Sequence, residues 1–328
     1  MKAIKILTMA ALATAVFASC SNDEDLAQSN YPMDNVVRIM TSVDGMNTRA
    51  SYGNSTDKLS SFGFCINNAG SDKYTYDNIK VTKEGNNWNP ATQMLWQNST
   101  TAVDILAYAP YQETTEDANG KVKVFGKTDY AFSVKEDQSN AEEYSSDLIV
   151  YKQTGFKPKL DLNTNQAVNV AFTHLLSQLN LTIELRDQFN TNNNTVTKGF
   201  VTDVKVNGTI ISSKVDFSAS PISVQVDGTQ AAAITPETTG FTPAENATAH
   251  AVFNYSAIVI PQTVAAGNFS ISFKVNNTEY IWTATDAVTF ESGKKHELHL
   301  LAGKDVVQGG AISAKPWGKE TITEKETD

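Results

Sequence analysis

Short strand-like runs recur along this chain at close spacing, each ended by a turn signal, and long amphipathic helical patterns are nearly absent. Alternation of Val, Ile, Phe, Tyr and Thr with polar residues over about four to eight positions, between clusters of Gly, Pro, Asn and Asp, is the mark of half-buried strands. In the first half the runs fall at residues 62–66, 74–81, 94–96, 103–108, 130–134 and 148–151, with a further strand signal at Trp88. In the second half they fall at 167–172, 179–185, 200–206, 209–213, 222–226, 251–260, 269–275, 279–284, 297–301 and 311–314. Asn119-Gly120 and Asn207-Gly208 read as hairpin turns, because Asn and Gly tolerate the positive φ that a tight hairpin requires. Residues 173–178 can make one helical turn, and the acidic stretch 136–146 reads as a long solvated loop. Two successive sets of strands without long crossover helices argue for an all-β chain, built as two antiparallel β-sandwiches in tandem. The Pro and Asn/Thr-rich stretch 157–166 leads up to a junction placed between residues 172 and 173.

Ahead of these sets lies VVRIMTSVDGMNTRA, residues 36–50. A strand beginning at Val36 puts Val37, Ile39 and Val43 on one face, interrupted by Thr41, with Arg38 and Ser42 on the other. Asp44-Gly45 ends it. The segment Asn47-Thr48-Arg49-Ala50-Ser51 is small and polar on both sides of its arginine, as a protease needs in order to draw a chain extended into its cleft. The chain has three arginines, and Arg38 and Arg186 lie in or beside strand-like runs. A strand tied to the rest by a cuttable loop suggests a strand that can be removed. An ordinary loop arginine is the plainer reading of the same residues.

The first twenty residues read as a targeting segment. Lys2 and Lys5 precede an apolar run, residues 6–18, that is too short to span a bilayer. It ends in Phe17-Ala18-Ser19-Cys20, which looks like a bacterial lipobox with Phe17 where leucine is usual. Cys20 would then be lipidated and become the mature N-terminus; a secretory peptide with a chance cysteine is the alternative. The acidic Ser21-Asn22-Asp23-Glu24-Asp25 follows as a flexible tether, and two or more acyl chains on one cysteine would anchor the precursor stably. Net charge of −10 without a basic cluster argues against nucleic acid as a partner. Cys65, the only other cysteine, sits in a strand-like run and reads as a small buried hydrophobe, with no disulfide expected.

Several runs together resemble the fimbrillin family, the subunits of type V pili and their relatives. They are the lipobox with its acidic tether, Asn47-Thr48-Arg49-Ala50, Val103-Asp104-Ile105-Leu106-Ala107-Tyr108-Ala109-Pro110, Phe172-Thr173-His174-Leu175-Leu176-Ser177-Gln178-Leu179, Ile258-Val259-Ile260-Pro261-Gln262, and Phe290-Glu291-Ser292-Gly293-Lys294 through Ile312 to Trp317. The resemblance implies two transthyretin-like β-sandwich domains, residues 50–172 and 173–328, behind a signal peptide (1–20) and a tether with a removable first strand (21–49). It also implies an assembly route. The precursor is carried to the outer membrane surface by its lipid anchor, and an extracellular arginine-specific, trypsin-like protease cuts it between Arg49 and Ala50. The strand carrying Val36, Val37, Ile39 and Val43 leaves, and a strand from another pilus subunit fills the groove by β-strand addition. The product is an extracellular fimbrium. The tail after Trp317 departs from an expected donor strand, being charged with Ile322 as its one sizeable apolar residue. Either residues 306–312 contribute to donation, or this is an accessory or tip-like subunit, or it stays an uncut surface lipoprotein.

Nothing in the sequence reads as a catalytic, metal or cofactor site. His296 and His299 stand at an odd spacing on a strand and so face opposite ways. His174 reads as a packed structural histidine. Gly-x-Ser-x-Gly, His-Glu-x-x-His and phosphate-loop patterns are absent. Trp88, Trp96, Trp282 and Trp317 could include a sugar-stacking platform, but all lie in or beside strand patterns, which favours packing. The expectation is a non-enzymatic, structural and adhesive pilus subunit; the alternative is an unpolymerised surface lipoprotein that binds glycan or host protein.

Overall fold

The computed structural model describes residues 30–44, 56–113, 123–140, 144–190 and 196–317. The first half of the chain supplies β1 (Arg38–Asp44), β2 (Ser61–Asn67), β3 (Tyr76–Glu84), β4 (Asn87–Pro90), β5 (Val103–Ala109), β6 (Tyr130–Ser133), β7 (Ile149–Phe156) and β8 (Ala167–His174). The second half supplies β9 (Ser177–Leu185), β10 (Val201–Thr209), β11 (Ser212–Asp216), β12 (Ser223–Val226), β13 (Ala232–Ile234), β14 (Glu237–Thr242), β15 (Ala251–Val259) and β16 (Gln262–Val264). It continues through β17 (Ser270–Val275), β18 (Thr278–Thr283), β19 (Val288–Phe290), β20 (Lys294–Ala302), β21 (Val307–Gly309) and β22 (Ser313–Pro316). Among the described residues the α-helix is limited to one turn, α1 (Pro158–Asp161), so the chain is all-β.

These strands form a seven-stranded sheet in the order β1-β8-β7-β5-β2-β3-β4 and a three-stranded sheet β12-β11-β6. A four-stranded sheet β13-β10-β17-β18, a six-stranded sheet β14-β15-β9-β20-β21 with β22 also on β20, and the pair β16-β19 complete the fold. The ladders β1 with β8 and β9 with β20 run parallel, against the expectation of wholly antiparallel sheets. Both join strands far apart in sequence, and local turn signals carry no information on such pairings. The junction expected between residues 172 and 173 falls inside β8, and β6 from the first half pairs with β11 from the second.

The seven-stranded sheet is covered on both faces, which is why β5 reads as a nearly unbroken apolar run. One face holds Val37, Ile39, Phe62, Phe64, Ile105, Val168, Val170 and Phe172 around a core of its own. Phe62 lies at its centre, edge-on to Trp88 at 5.0 Å and to Phe172 at 5.4 Å, while Trp96 stacks on Phe156 at 5.6 Å. The other face sends Cys65, Leu106, Tyr108 and Val150 into a larger core shared with β6, β11 and the sheets of the second half. Cys65 is fully buried, its thiol 3.1 Å from Asp77 Oδ1, and burial raises its pKa well above the ordinary thiol value.

Three local expectations are corrected by tertiary contacts. Asn207-Gly208 is no hairpin turn, because β10 runs through it to Thr209. Gly208 has φ +93°, and a Cβ there would meet the Asn268 carbonyl oxygen at 2.0 Å, so glycine serves close backbone approach and a register shift against β13. Residues 173–178 make no helical turn. Leu175 N–H donates to Leu148 O at 2.9 Å, and Leu176 O accepts from Gly293 N–H at 2.9 Å, so neighbouring segments take the linking backbone groups. The stretch 136–146 is not wholly solvated. Gln138 is buried and bonds both backbone groups of Ile258 in β15, donating to its carbonyl at 2.9 Å and accepting from its N–H at 2.7 Å. The Asn119-Gly120 hairpin lies outside the described residues.

Candidate functional site

β1 forms one edge of the seven-stranded sheet. Its ladder with β8 runs from Arg38 opposite Ala167 to Asp44 opposite Thr173. On its other side β8 meets β7 in two pairs only, Ile149 with His174 and Val150 with Thr173. From Ala167 to Phe172, therefore, β1 is the ladder partner that β8 has. The strand alternates as its sequence requires: Val37 and Ile39 are 3% and 6% exposed, Arg38 is half-buried, and Met40 and Ser42 face solvent. Val36 is half-buried and makes an antiparallel bridge with Leu95 instead of filling the core. Val43 pairs with Phe172 through its backbone.

The chain entering β1 is held by short-range polar contacts. Val37 N–H donates to Met94 O at 3.0 Å and Trp96 N–H to Asn35 O at 2.8 Å, so the segment lies between β8 and residues 94–96, where the strand expected from the sequence is reduced to the single bridge of Leu95 with Val36. Asp34 accepts from Val36 N–H at 3.0 Å and pairs with the Arg38 guanidinium at 2.6 Å. That pair, chiefly through its side-chain hydrogen bond, holds the Asp34 carboxyl at about 2, below its ordinary 3.8. Because the folded value is the depressed one, the pair is intact above 3.8 and is lost as pH falls through about 2. Mild acid therefore leaves this clamp in place.

One residue of β1 weakens its seat. Thr41 lies on the inward-facing side, and its Oγ1 is buried without a hydrogen-bond partner. A buried unsatisfied hydroxyl costs about 1–3 kcal/mol. Thr41→Val is therefore expected to raise stability by about 1 kcal/mol, read as a higher urea midpoint at unchanged slope. A lower midpoint would mean that the hydroxyl has a partner that stabilises the strand.

The runs at 172–179, 290–294 and 312–317, distant in sequence, meet at the end of β8. His174 Nδ1 is 2.9 Å from Asp147 Oδ1, both side chains being fully buried. The imidazole stacks on Trp317 at 3.9 Å with the ring planes nearly parallel, and the Trp317 backbone N–H donates to Gly293 O at 3.0 Å. Ser292 Oγ donates to Leu175 O and Ser177 Oγ to Glu291 O, each at 2.6 Å. His174 is thus a structural joint between β8, β20 and β22.

Cys20, Arg49 and Ala50 lie outside the described residues. His296 and His299 point apart: His296 is buried and accepts from Glu291 N–H at 3.0 Å, while His299 is exposed, 2.6 Å from Glu184 Oε2. Glu184 Oε1 also pairs with His250 Nδ1, a grouping that sequence reasoning missed because its members come from β9, the start of β15 and β20. Hydrogen bonds from the two imidazoles lower the Glu184 pKa. Among the described residues no group of three or more His, Cys, Asp and Glu is placed to hold a metal ion.

A model of the fimbrillin-like family matches residues 48–317. Among solved structures, a candidate cell adhesion protein from Bacteroides uniformis is similar with TM-score 0.57 and 19% identity, over 87% of this chain and 99% of that one. Another, from Bacteroides ovatus, has TM-score 0.61 and 13% identity over 87% and 98%. At such identities the likeness is one of fold. Among curated proteins the sequence has no significant match.

Proposed function

Because this chain belongs to the fimbrillin-like family, we propose that it is a structural and adhesive subunit of a cell-surface pilus, a non-enzymatic protein assembled by exchange of β1 for a strand of another subunit. In this reading it is exported as a precursor lipidated at Cys20, reaches the outer membrane surface, and is cut between Arg49 and Ala50 by an extracellular arginine-specific protease. Its strands then work as two tandem transthyretin-like sandwiches, divided at the end of β8, just past the junction expected between residues 172 and 173, and its partners are other pilus subunits of the same or related sequence.

The observation that carries the reading is the position of β1: an edge strand that alone pairs most of β8, anchored by the buried Ile39 and by Val37 just ahead of it. Its loss opens a backbone edge and an apolar groove together, and both drive refilling by another strand. The family match also begins at residue 48, beside Arg49, leaving β1 ahead of it. A second reading, an unpolymerised surface lipoprotein that binds glycan or host protein, is favoured by β22, whose four residues are all exposed and offer no alternating apolar face for another subunit's groove.

The test is the N-terminus and intact mass of protein taken from the cell surface, with an unboiled denaturing gel, for wild type and Arg49→Ala. Wild type is expected to begin at Ala50 and give an oligomer ladder. The variant is expected to stay acylated at Cys20 and run as monomer. Equal processing and assembly of the two would sink the proposal, and an uncut wild-type monomer would leave the second reading.

A further inference from the structure

We infer that the cleft walled by Trp282 is a binding site for a neutral pyranose, such as a terminal residue of a glycan. The cleft, of about 380 Å³, opens between the end of β18, the loop to β19, and the residues linking β21 to β22. This inference goes beyond strand exchange and shares no residue with the β1–β8 site.

Four tryptophans have distinct fates. Trp96 and Trp317 are buried, and Trp88 packs against Phe62 beneath Lys83. Trp282 is half-buried and lines an open cleft. Its indole is fixed on two sides. Phe269 meets it edge-on at 6.3 Å, and Gly309 lies so close that a Cβ there would come within 2.2 Å of Nε1. The aromatic wall is therefore preformed, and a rigid aromatic surface binds at low entropic cost.

The polar lining selects the ligand. Thr283, Thr285, Asp286 and Thr289 line the cleft, the Thr285 hydroxyl donating to Asp286 Oδ2 at 3.4 Å and the Thr289 hydroxyl bonded to that of Thr263 at 3.1 Å, while no Lys, Arg or His lines it. Hydroxyls both donate and accept, and a carboxylate accepts strongly from a vicinal pair of O–H groups. The missing cation disfavours phosphates, sulfates and acidic sugars. A ligand with an apolar C–H face for the indole and a rim of neutral hydroxyls is a pyranose. The volume is at the lower end of small-ligand pockets, about 300–1,000 Å³, which suits one or two sugar rings.

Saturation-transfer difference NMR on the full chain, with methyl α-mannopyranoside, methyl β-galactopyranoside and methyl N-acetyl-β-glucosaminide at millimolar concentration, tests this. Transfer to at least one is expected, strongest at ring C–H protons, with none to sialic acid. Asp286→Asn alters an exposed loop residue and is expected to weaken binding about tenfold. Trp282→Phe, which keeps an aromatic core contact, is expected to weaken it about as much. Absence of transfer to all three sugars would overturn the inference. So would transfer that survives both substitutions, or preferential binding of sialic acid.

Discussion

A chain beginning at Ala50 is expected to associate with copies of itself, and a synthetic peptide covering residues 34–44 is expected to return it to monomer. The reason is the double role of β1. Burial of Val37 and Ile39 contributes about 1.5–3 kcal/mol each as an upper figure, so roughly 3–6 kcal/mol together. The ladder from Arg38 to Asp44 adds backbone hydrogen bonds at about 0.5–1.5 kcal/mol each. Against a typical total of about 5–15 kcal/mol, loss of β1 removes a large share of stability. It also bares the β8 edge between Ala167 and Phe172. Light scattering after size exclusion reads the outcome. A peptide carrying Val37→Asp and Ile39→Asp should fail to restore monomer, since it keeps the backbone but loses both anchors. A monomeric chain as stable as the precursor would show that β1 is not what closes this groove.

The second large effect is expected at the end of β8. His174→Ala should cost about 3–5 kcal/mol in urea unfolding, the usual result of removing one member of a fully buried charged or hydrogen-bonded pair. Asp147 loses its imidazole partner and Trp317 loses the ring it stacks on. Asp147→Asn keeps a hydrogen-bonding group of the same size and should cost much less. Trp317→Ala should fall between single losses and show coupling with His174→Ala in a double-mutant cycle, because the rings touch. Additive effects would mean that the stack is incidental. Because this joint ties β8 to β20 and β22 through Gly293 and Trp317, its loss should also loosen β8 at the end where β7 still holds it.

Much of this was legible in residues. The period-two alternation of β1, with Val37 and Ile39 inward and Met40 and Ser42 outward, depends on the local geometry of an extended chain. Thr41 was visible as a break in the apolar face; that its hydroxyl lacks a partner was not, since partners are set by what packs above it. Gly208 showed how one signal serves two ends. Positive φ was written in the sequence, but a turn and a close approach to Asn268 both require it. The polar stretch at 136–146 misled for a similar reason: Gln138 looks like loop composition until Ile258, far along the chain, uses both ends of its amide. Among the tryptophans, composition and strand context were alike, and only neighbours separate the buried Trp96 and Trp317 from Trp282 at its cleft.

By itself the sequence determined the all-β class, most of the longer strands, the amphipathic character of β1 and the motif runs that mark the family, because each rests on local periodicity or on short-range chemistry; β13, β14, β16, β19 and β21, mostly of three residues, escaped it. Tertiary structure alone decided that β1 is an edge strand parallel to β8, that β9 pairs parallel with β20, that β6 joins β11, and that His174, Gly293 and Trp317 form one joint. Such pairings join segments whose separation along the chain leaves no local trace. They are chosen by which apolar faces and backbone edges can be covered together.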